Sequence, residues 1–392
     1  MRGWDYNTVK ETKHDQRMIR EHHLLLLFKI IKRNGPISRA ELAKKTQMSA
    51  TSASRIVKEL IDQNFVDETG QTEGNVGRRA TLLKINPSGA LIIGINIDLE
   101  SIEVGIVDLD GNVILKKDRD IDLSLPPTEV LDRVVELVAS IKAQIGELSN
   151  RIIGCGVSIP GIVEWPQGRV VMIPQFHWAN VEIRKYLEEK IGMTVLVDNQ
   201  VKAILLGESL YGSVVGVDHA ACIFVGSGVG GAFMDKGEVI RGSKNIAGEI
   251  GHTTIDPDGS LCDCGRFGCL QTFICASALE KESGKPIHEI FAAEQQQEVW
   301  AVKMLDRAAE YLSMAISNVV CTYNPEAVVL VGPMIDQHPQ WVKKVEQKCK
   351  RYLWDNFDRM LEIRYPHIGS HAGIVGASCL VLREFLESPI SK

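Results

Sequence analysis

Along residues 20–33 the apolar side chains Leu24, Leu27, Phe28 and Ile31 return at helical spacing until Asn34-Gly35-Pro36 breaks the run, which predicts a first helix. Ser38-Arg39-Ala40-Glu41 reads as a capping box, in which the Ser38 hydroxyl accepts from the N–H three residues on while Glu41 reaches back to the cap. It opens a short second helix that ends near Thr46. Past a turn at Gln47-Met48, Ser49 caps a third helix whose Ala53, Ile56, Val57, Leu60 and Ile61 form one apolar face. The other face offers Thr51, Ser52, Arg55 and Lys58. Residues 65–67 and 80–85 read as strands around a glycine-rich loop that ends in Arg78-Arg79. A short helix, a tight turn, a helix bearing hydroxyls and cations, and a basic wing together make a winged helix-turn-helix, which lays its third helix in the major groove of double-stranded DNA. Thr51, Ser52 and Arg55 are expected to meet base edges, and Lys58, Arg78 and Arg79 the backbone or minor groove.

Asn86-Pro87-Ser88-Gly89 is a linker of loop-forming residues, and the pattern changes beyond it. Residues 91–97, 102–109 and 113–121 are strand-like runs that predict a three-stranded meander. Residues 128–145 carry Val130, Val134, Val138, Ile141 and Ile145 on one side of a helix, and the apolar strand 152–159 ends at Pro160-Gly161. Strands and helices then alternate through 195–197, 222–225 and 328–331, which indicates a layered α/β body without a short-period repeat.

Composition bounds this picture. At 392 residues, 45% hydrophobic and 24% charged, the chain is globular and long enough for two or three domains. No apolar run approaches the roughly 20 residues of a membrane span, and the first 13 residues hold no signal-peptide segment, so a cytoplasmic protein without a membrane partner is expected. The net charge of -6 divides into +6 over residues 1–90 and -12 over the rest, as for a polyanion-binding leader on a body that binds none. Nine cysteines in a reducing compartment do not form a disulfide framework. Four side chains, however, fall into the spacing H-x9-C-x-C-x4-C: His252, Cys262, Cys264 and Cys269. Thiolates and imidazole suit a tetrahedral d10 ion, and Asp263, Gly265 and Gly268 supply turns that let the sulfurs converge, so a structural zinc with a closed shell is expected. Buried free thiols are the alternative, which fits Cys155, Cys222, Cys275, Cys321, Cys349 and Cys379 better.

Ser158-Ile159-Pro160-Gly161, the run Gly226-Ser227-Gly228-Val229-Gly230-Gly231, Gly248-Glu249-Ile250-Gly251-His252, the cysteine cluster and Asn324-Pro325 together resemble the ROK family of repressors and sugar kinases. With its helix-turn-helix the chain is most similar to the xylose-type and N-acetylglucosamine-type repressors of that family. The resemblance implies a two-lobed actin-like ATPase (ribonuclease H-like) fold behind the winged helix-turn-helix. The expected division is residues 1–88 for DNA binding, 89–198 with 371–392 for the first lobe, and 199–370 for the second lobe with the zinc loop. It also implies ligand contacts at Gln175, Asp198, Asn199, Glu249, His252 and Gln271.

Phosphoryl transfer needs phosphate-cradling backbone and a carboxylate that takes the proton from the attacking hydroxyl. The first turn reads Asp98-Leu99-Glu100-Ser101-Ile102, with side chains where phosphates would approach and Glu100 to repel them. The position of the kinases' base falls on Gln200, an amide, and Gly332-Pro333 stands where those kinases tend to have a Gly-Gly pair. No enzyme activity is expected. The reading is a transcriptional regulator of carbohydrate metabolism, acting as a homodimer or homotetramer and released from its operator by a sugar or sugar derivative. Competing readings are a sugar kinase with a DNA-binding appendage and a regulator controlled by a protein partner.

Overall fold

A computed structural model of the protein describes residues 16–71, 80–354 and 361–387. Two compact units meet in sequence at Ala90 and Leu91, with residues 382–387 grouped with the N-terminal one. The expected division kept 371–392 together in the first lobe. The helix Ala372–Glu387 runs on through Leu382, and within the N-terminal unit its Phe385 ring lies 5.2 Å from that of Phe65.

The N-terminal unit holds α1 (Gln16–Asn34), α2 (Arg39–Thr46) and α3 (Ala50–Asp62). Its sheet, in the order β1-β3-β2, is built from β1 (Ile37–Ser38), β2 (Val66–Gln71) and β3 (Thr81–Ile85). The capping box forms as expected: the Glu41 N–H donates to Ser38 Oγ at 3.3 Å and the Ser38 N–H to Glu41 Oε2 at 3.0 Å. Ser49 caps α3 by accepting from the Ser52 N–H at 3.1 Å. Leu24, Leu27, Phe28, Ile56, Leu60 and Leu83 are buried and close one small core. Strand β1 had no sequence signal, because two residues are too few to show a period and exist as a strand only through pairing with Leu82 and Leu83 of β3.

The C-terminal unit repeats one topology twice. In its first lobe β4 (Leu91–Ile97), β5 (Ser101–Asp108) and β6 (Val113–Asp120) form the antiparallel meander. Parallel β7 (Ile152–Ile159) and β11 (Val195–Asn199) extend it to the order β11-β7-β4-β5-β6. Three short strands, β8 (Ile162–Glu164), β9 (Arg169–Ile173) and β10 (Trp178–Val181), make a side sheet between β7 and β11. The second lobe places β12 (Ala220–Val225), β13 (Val229–Asp235), β14 (Glu238–Val239), β15 (Ala327–Val331) and β16 (Glu362–Arg364) in the order β14-β13-β12-β15-β16. Here too an antiparallel meander is followed by two parallel strands. This duplicated mixed sheet, with helices packed on it, is the actin-like arrangement. Each lobe has its own core: Ile93, Val157 and Val197 pack with Val134 of α4 (Pro127–Ile145) in the first, and Ile223 and Leu330 with Leu312 of the helix Val299–Tyr323 in the second.

Candidate functional site

The ends of the parallel strands bring the cleft together, as open α/β sheets do where strand order reverses. Strand β4 is followed by Asp98-Leu99 and β7 by Pro160-Gly161, while β11 ends at Asn199, and all of these residues line a cavity of about 270 Å³. Asn199 then caps the helix Gln200–Tyr211, its Oδ1 accepting from the N–H groups of Val201 at 3.0 Å and Lys202 at 3.3 Å. From the second lobe come the glycine-rich hairpin between β12 and β13 and the segment that carries Glu249 and His252. Gly248 holds that segment against the hairpin. Its φ of +103° suits glycine, and a Cβ there would stand 2.1 Å from the Gly231 carbonyl oxygen.

Of the expected ligand contacts, Gln175, Asn199, Glu249, His252 and Gln271 line the cavity. Asp198 does not. It is fully buried, Oδ2 accepts from Arg241 Nη1 at 2.5 Å, and Oδ1 accepts from Asn245 Nδ2 at 3.0 Å and the Asn199 N–H at 2.8 Å. A carboxylate taken from water needs such partners, and these hold both of its oxygens. Arg241 also stacks over Trp165, 3.9 Å from the ring centroid. Asn245 further donates to the Val163 carbonyl at 2.9 Å and accepts Lys202 Nζ on its own carbonyl at 2.9 Å. Loop 241–248 is thereby tied to the first lobe just before Glu249. Sequence reasoning missed Arg241, Asn245 and Lys202; the available signal was the acid at the end of an apolar strand, which demands a cationic partner from elsewhere.

Burial raises the Glu249 carboxyl above its usual range, against the opposing pull of the Lys202 ammonium. Gln200, at the expected base position, donates from Nε2 to Asp98 Oδ2 at 2.8 Å. Leu99 forms wall at the first turn, whereas Glu100 is exposed and does not line the cavity.

Beside the cleft, the donor atoms of His252, Cys262, Cys264 and Cys269 lie within 4.8 Å of one another. Gly268, at φ +67°, permits this convergence, since a Cβ would meet the Asp256 carbonyl oxygen at 1.5 Å. Cys264 Sγ is 3.6 Å from Cys269 Sγ, and Cys262 Sγ is 3.5 Å from His252 Nδ1. Thiolates about 2.3 Å from a tetrahedral zinc are about 3.8 Å apart, so the donor set fits that ion. Burial opposes ionisation of Cys264, but hydrogen bonds from Arg266 carry its thiol down to about 7, while burial and the neighbouring thiols push Cys269 up to about 12. Crowded sulfurs of this kind ionise together only around a cation. Burial, aided by Arg266, lowers the pKa of His252 and favours the neutral imidazole that ligates metals.

On α3, Thr51, Arg55 and Lys58 are exposed and Ser52 is half-buried, its hydroxyl accepting from Ser49 Oγ at 2.9 Å. Arg78 and Arg79 lie outside the described residues.

The model of the ROK family matches residues 92–384, most of the chain. The chain belongs to the ROK family. Residues 20–79 match a MarR family model, so a MarR-like winged helix-turn-helix precedes the ROK domain. The xylose repressor of Bacillus subtilis (strain 168) is 26% identical over 378 residues, 95% of this chain and 98% of that protein. A solved ROK family transcriptional regulator, described as a homolog of the E.coli MLC protein, is 25% identical with a TM-score of 0.79 and covers 94% of this chain and 98% of its own. A ROK family glucokinase from Streptomyces griseus, solved with glucose and AMPPNP, shares the fold at a TM-score of 0.65 and 23% identity, over 74% of this chain and 99% of that one. The regulator aligns with both units and the kinase with about three-quarters of the chain.

Proposed function

We propose that this chain is a sequence-specific DNA-binding repressor of carbohydrate-metabolism genes, acting in the cytoplasm and leaving its operator when a sugar or sugar derivative fills a non-catalytic, kinase-like cleft. The observation that carries this reading is Gln200. An amide donating to Asp98 can hold a ligand hydroxyl but cannot take its proton, so the cleft binds without turning the ligand over. Relatives of matching length that are named repressors support the same reading. Gln175, Asn199, Glu249, His252 and Gln271 contact the effector. His252, Cys262, Cys264 and Cys269 hold a structural zinc, for which the fit of the donor set is the support. In this reading residues 1–88 bind DNA: Thr51, Ser52 and Arg55 read base edges, and Lys58, Arg78 and Arg79 contact the backbone or minor groove. The protein works as a symmetric oligomer on a palindromic operator.

The test is an operator-release titration, with the operator recovered by selection from random DNA and the sugar by thermal shift. Release by linkage requires a coupling of about 1–3 kcal/mol between sugar and DNA. Glu249→Ala should hold operator DNA and need at least about tenfold more sugar for release, because a buried hydrogen-bonding group has been removed from the ligand site. Release at the parent's sugar concentration would overturn the assignment of the cleft.

A further inference from the structure

A chain of hydrogen bonds fixes the polarity of the cleft floor. Asn96 Nδ2 donates to Glu103 Oε2 at 3.1 Å, and Lys116 Nζ donates to the other oxygen of the same carboxylate. Since a carboxylate only accepts, the Asn96 amide has one orientation, and its Oδ1 faces the opposite way. There it accepts from Ser158 Oγ at 2.6 Å and from Gln200 Nε2 at 3.4 Å. Gln200 Nε2 also donates to Asp98 Oδ2 at 2.8 Å. Turning Gln200 round would set its oxygen against a carboxylate and an amide oxygen. Both N–H bonds are therefore taken up by Asn96 and Asp98, and Oε1 is the atom left to accept in the cavity that Gln200 lines.

We propose that Gln200 Oε1 is a specificity-determining acceptor, which requires a hydroxyl donor from the effector and makes the effector an uncharged polyhydroxy compound rather than a sugar phosphate or sugar acid. This deepens the sugar-effector reading and rests on it. The rest of the wall agrees. Asp98, Glu249 and Asp263 line the cavity, against Arg266 as the single Lys or Arg among the described lining residues. Arg266 Nη2 donates to the His252 carbonyl at 2.5 Å, and Lys202, which does not line the cavity, donates from Nζ to the Asn245 carbonyl at 2.9 Å. An anionic group at the floor would meet oxygen lone pairs on several sides.

Calorimetric titration of the full chain tests this with D-xylose, D-glucose and N-acetyl-D-glucosamine, their phosphate esters, and D-glucuronate. A neutral sugar is expected to bind, with its phosphate or acid counterpart at least about a hundredfold weaker. For the sugar that binds, monodeoxy and monodeoxyfluoro analogues are then compared at each hydroxyl. Fluorine keeps the size of the hydroxyl and removes its donor, so at one position both analogues should lose about tenfold or more against the parent. Against Gln200→Met the same two should lose nothing further. The proposal is overturned if fluorine restores binding wherever deoxygenation weakens it, if Gln200→Met binds the neutral sugar like the parent, or if a phosphate or acid binds as well as the neutral sugar. Should Gln200→Met not fold, the analogue series on the parent decides alone. Binding of no sugar in the panel would instead remove the sugar-effector reading itself.

Discussion

Arg241→Ala removes the cation that faces a fully buried acid. Asp198 has no exposed surface and the Arg241 side chain is 23% exposed, so the pair is mostly sheltered from water. Removing one partner of a buried ion pair costs about 3–5 kcal/mol, largely because the remaining charge is left uncompensated. Asp198 would keep two donors, Asn245 Nδ2 and the Asn199 N–H, and water would enter where the guanidinium was, which places the cost near the lower bound, about 3 kcal/mol. Loss of the stack on Trp165 adds about 0.5–1 kcal/mol. Equilibrium urea unfolding of the full chain, followed by tryptophan fluorescence, should show the loss in the transition of the C-terminal unit. The paired replacement Arg241→Met with Asp198→Leu should recover part of it, since no charge is then left buried. Sugar affinity should fall in Arg241→Ala as well, because loop 241–248 is what holds Glu249 to the cleft. A stability loss below about 1 kcal/mol, or one that the paired replacement deepens, would refute the reasoning.

Elemental analysis of protein purified without added metal should find one zinc per chain, and a metal-free protein that folds and responds to sugar would remove the structural role. Gly268→Ala, with φ +67° and a backbone oxygen 1.5 Å from the new Cβ, should lower zinc content and melting temperature together; unchanged zinc would contradict the account of the loop. Arg55→Ala should relax base preference at one operator position at a cost of about 1–3 kcal/mol, whereas Lys58→Ala should weaken binding to all sequences alike. His338 lies flat on Phe291 with ring centroids 3.3 Å apart, and burial lowers its pKa against the opposing Glu294 charge. A depressed folded value means that its contribution is present above the unfolded value of about 6.5 and is lost as pH falls. Unfolding free energy should therefore decline from pH 7 to pH 5, and less steeply in His338→Phe.

Local order was legible wherever its cause lies within a few residues. The Ser38–Glu41 box, the Ser49 cap and the apolar face of α3 follow from contacts three or four positions apart, and β4 and β7 have the predicted bounds because uninterrupted apolar runs end at turn residues. The clustering of His252, Cys262, Cys264 and Cys269 was equally legible, since three of the four stand within eight consecutive residues and loop geometry brings them together. Tertiary structure alone decided the rest. The doubled topology was not legible in the sequence, because strand order depends on which apolar faces pack, and many different apolar residues meet that condition. Likewise the sequence placed Asp198 among the ligand contacts but could not show that its charge is buried against Arg241, 43 positions away, and that it does not line the cavity. Gln200 could be read as an amide from the sequence; which of its two ends is bonded and which is left to accept was set only when the fold brought Asn96 and Asp98 to its Nε2.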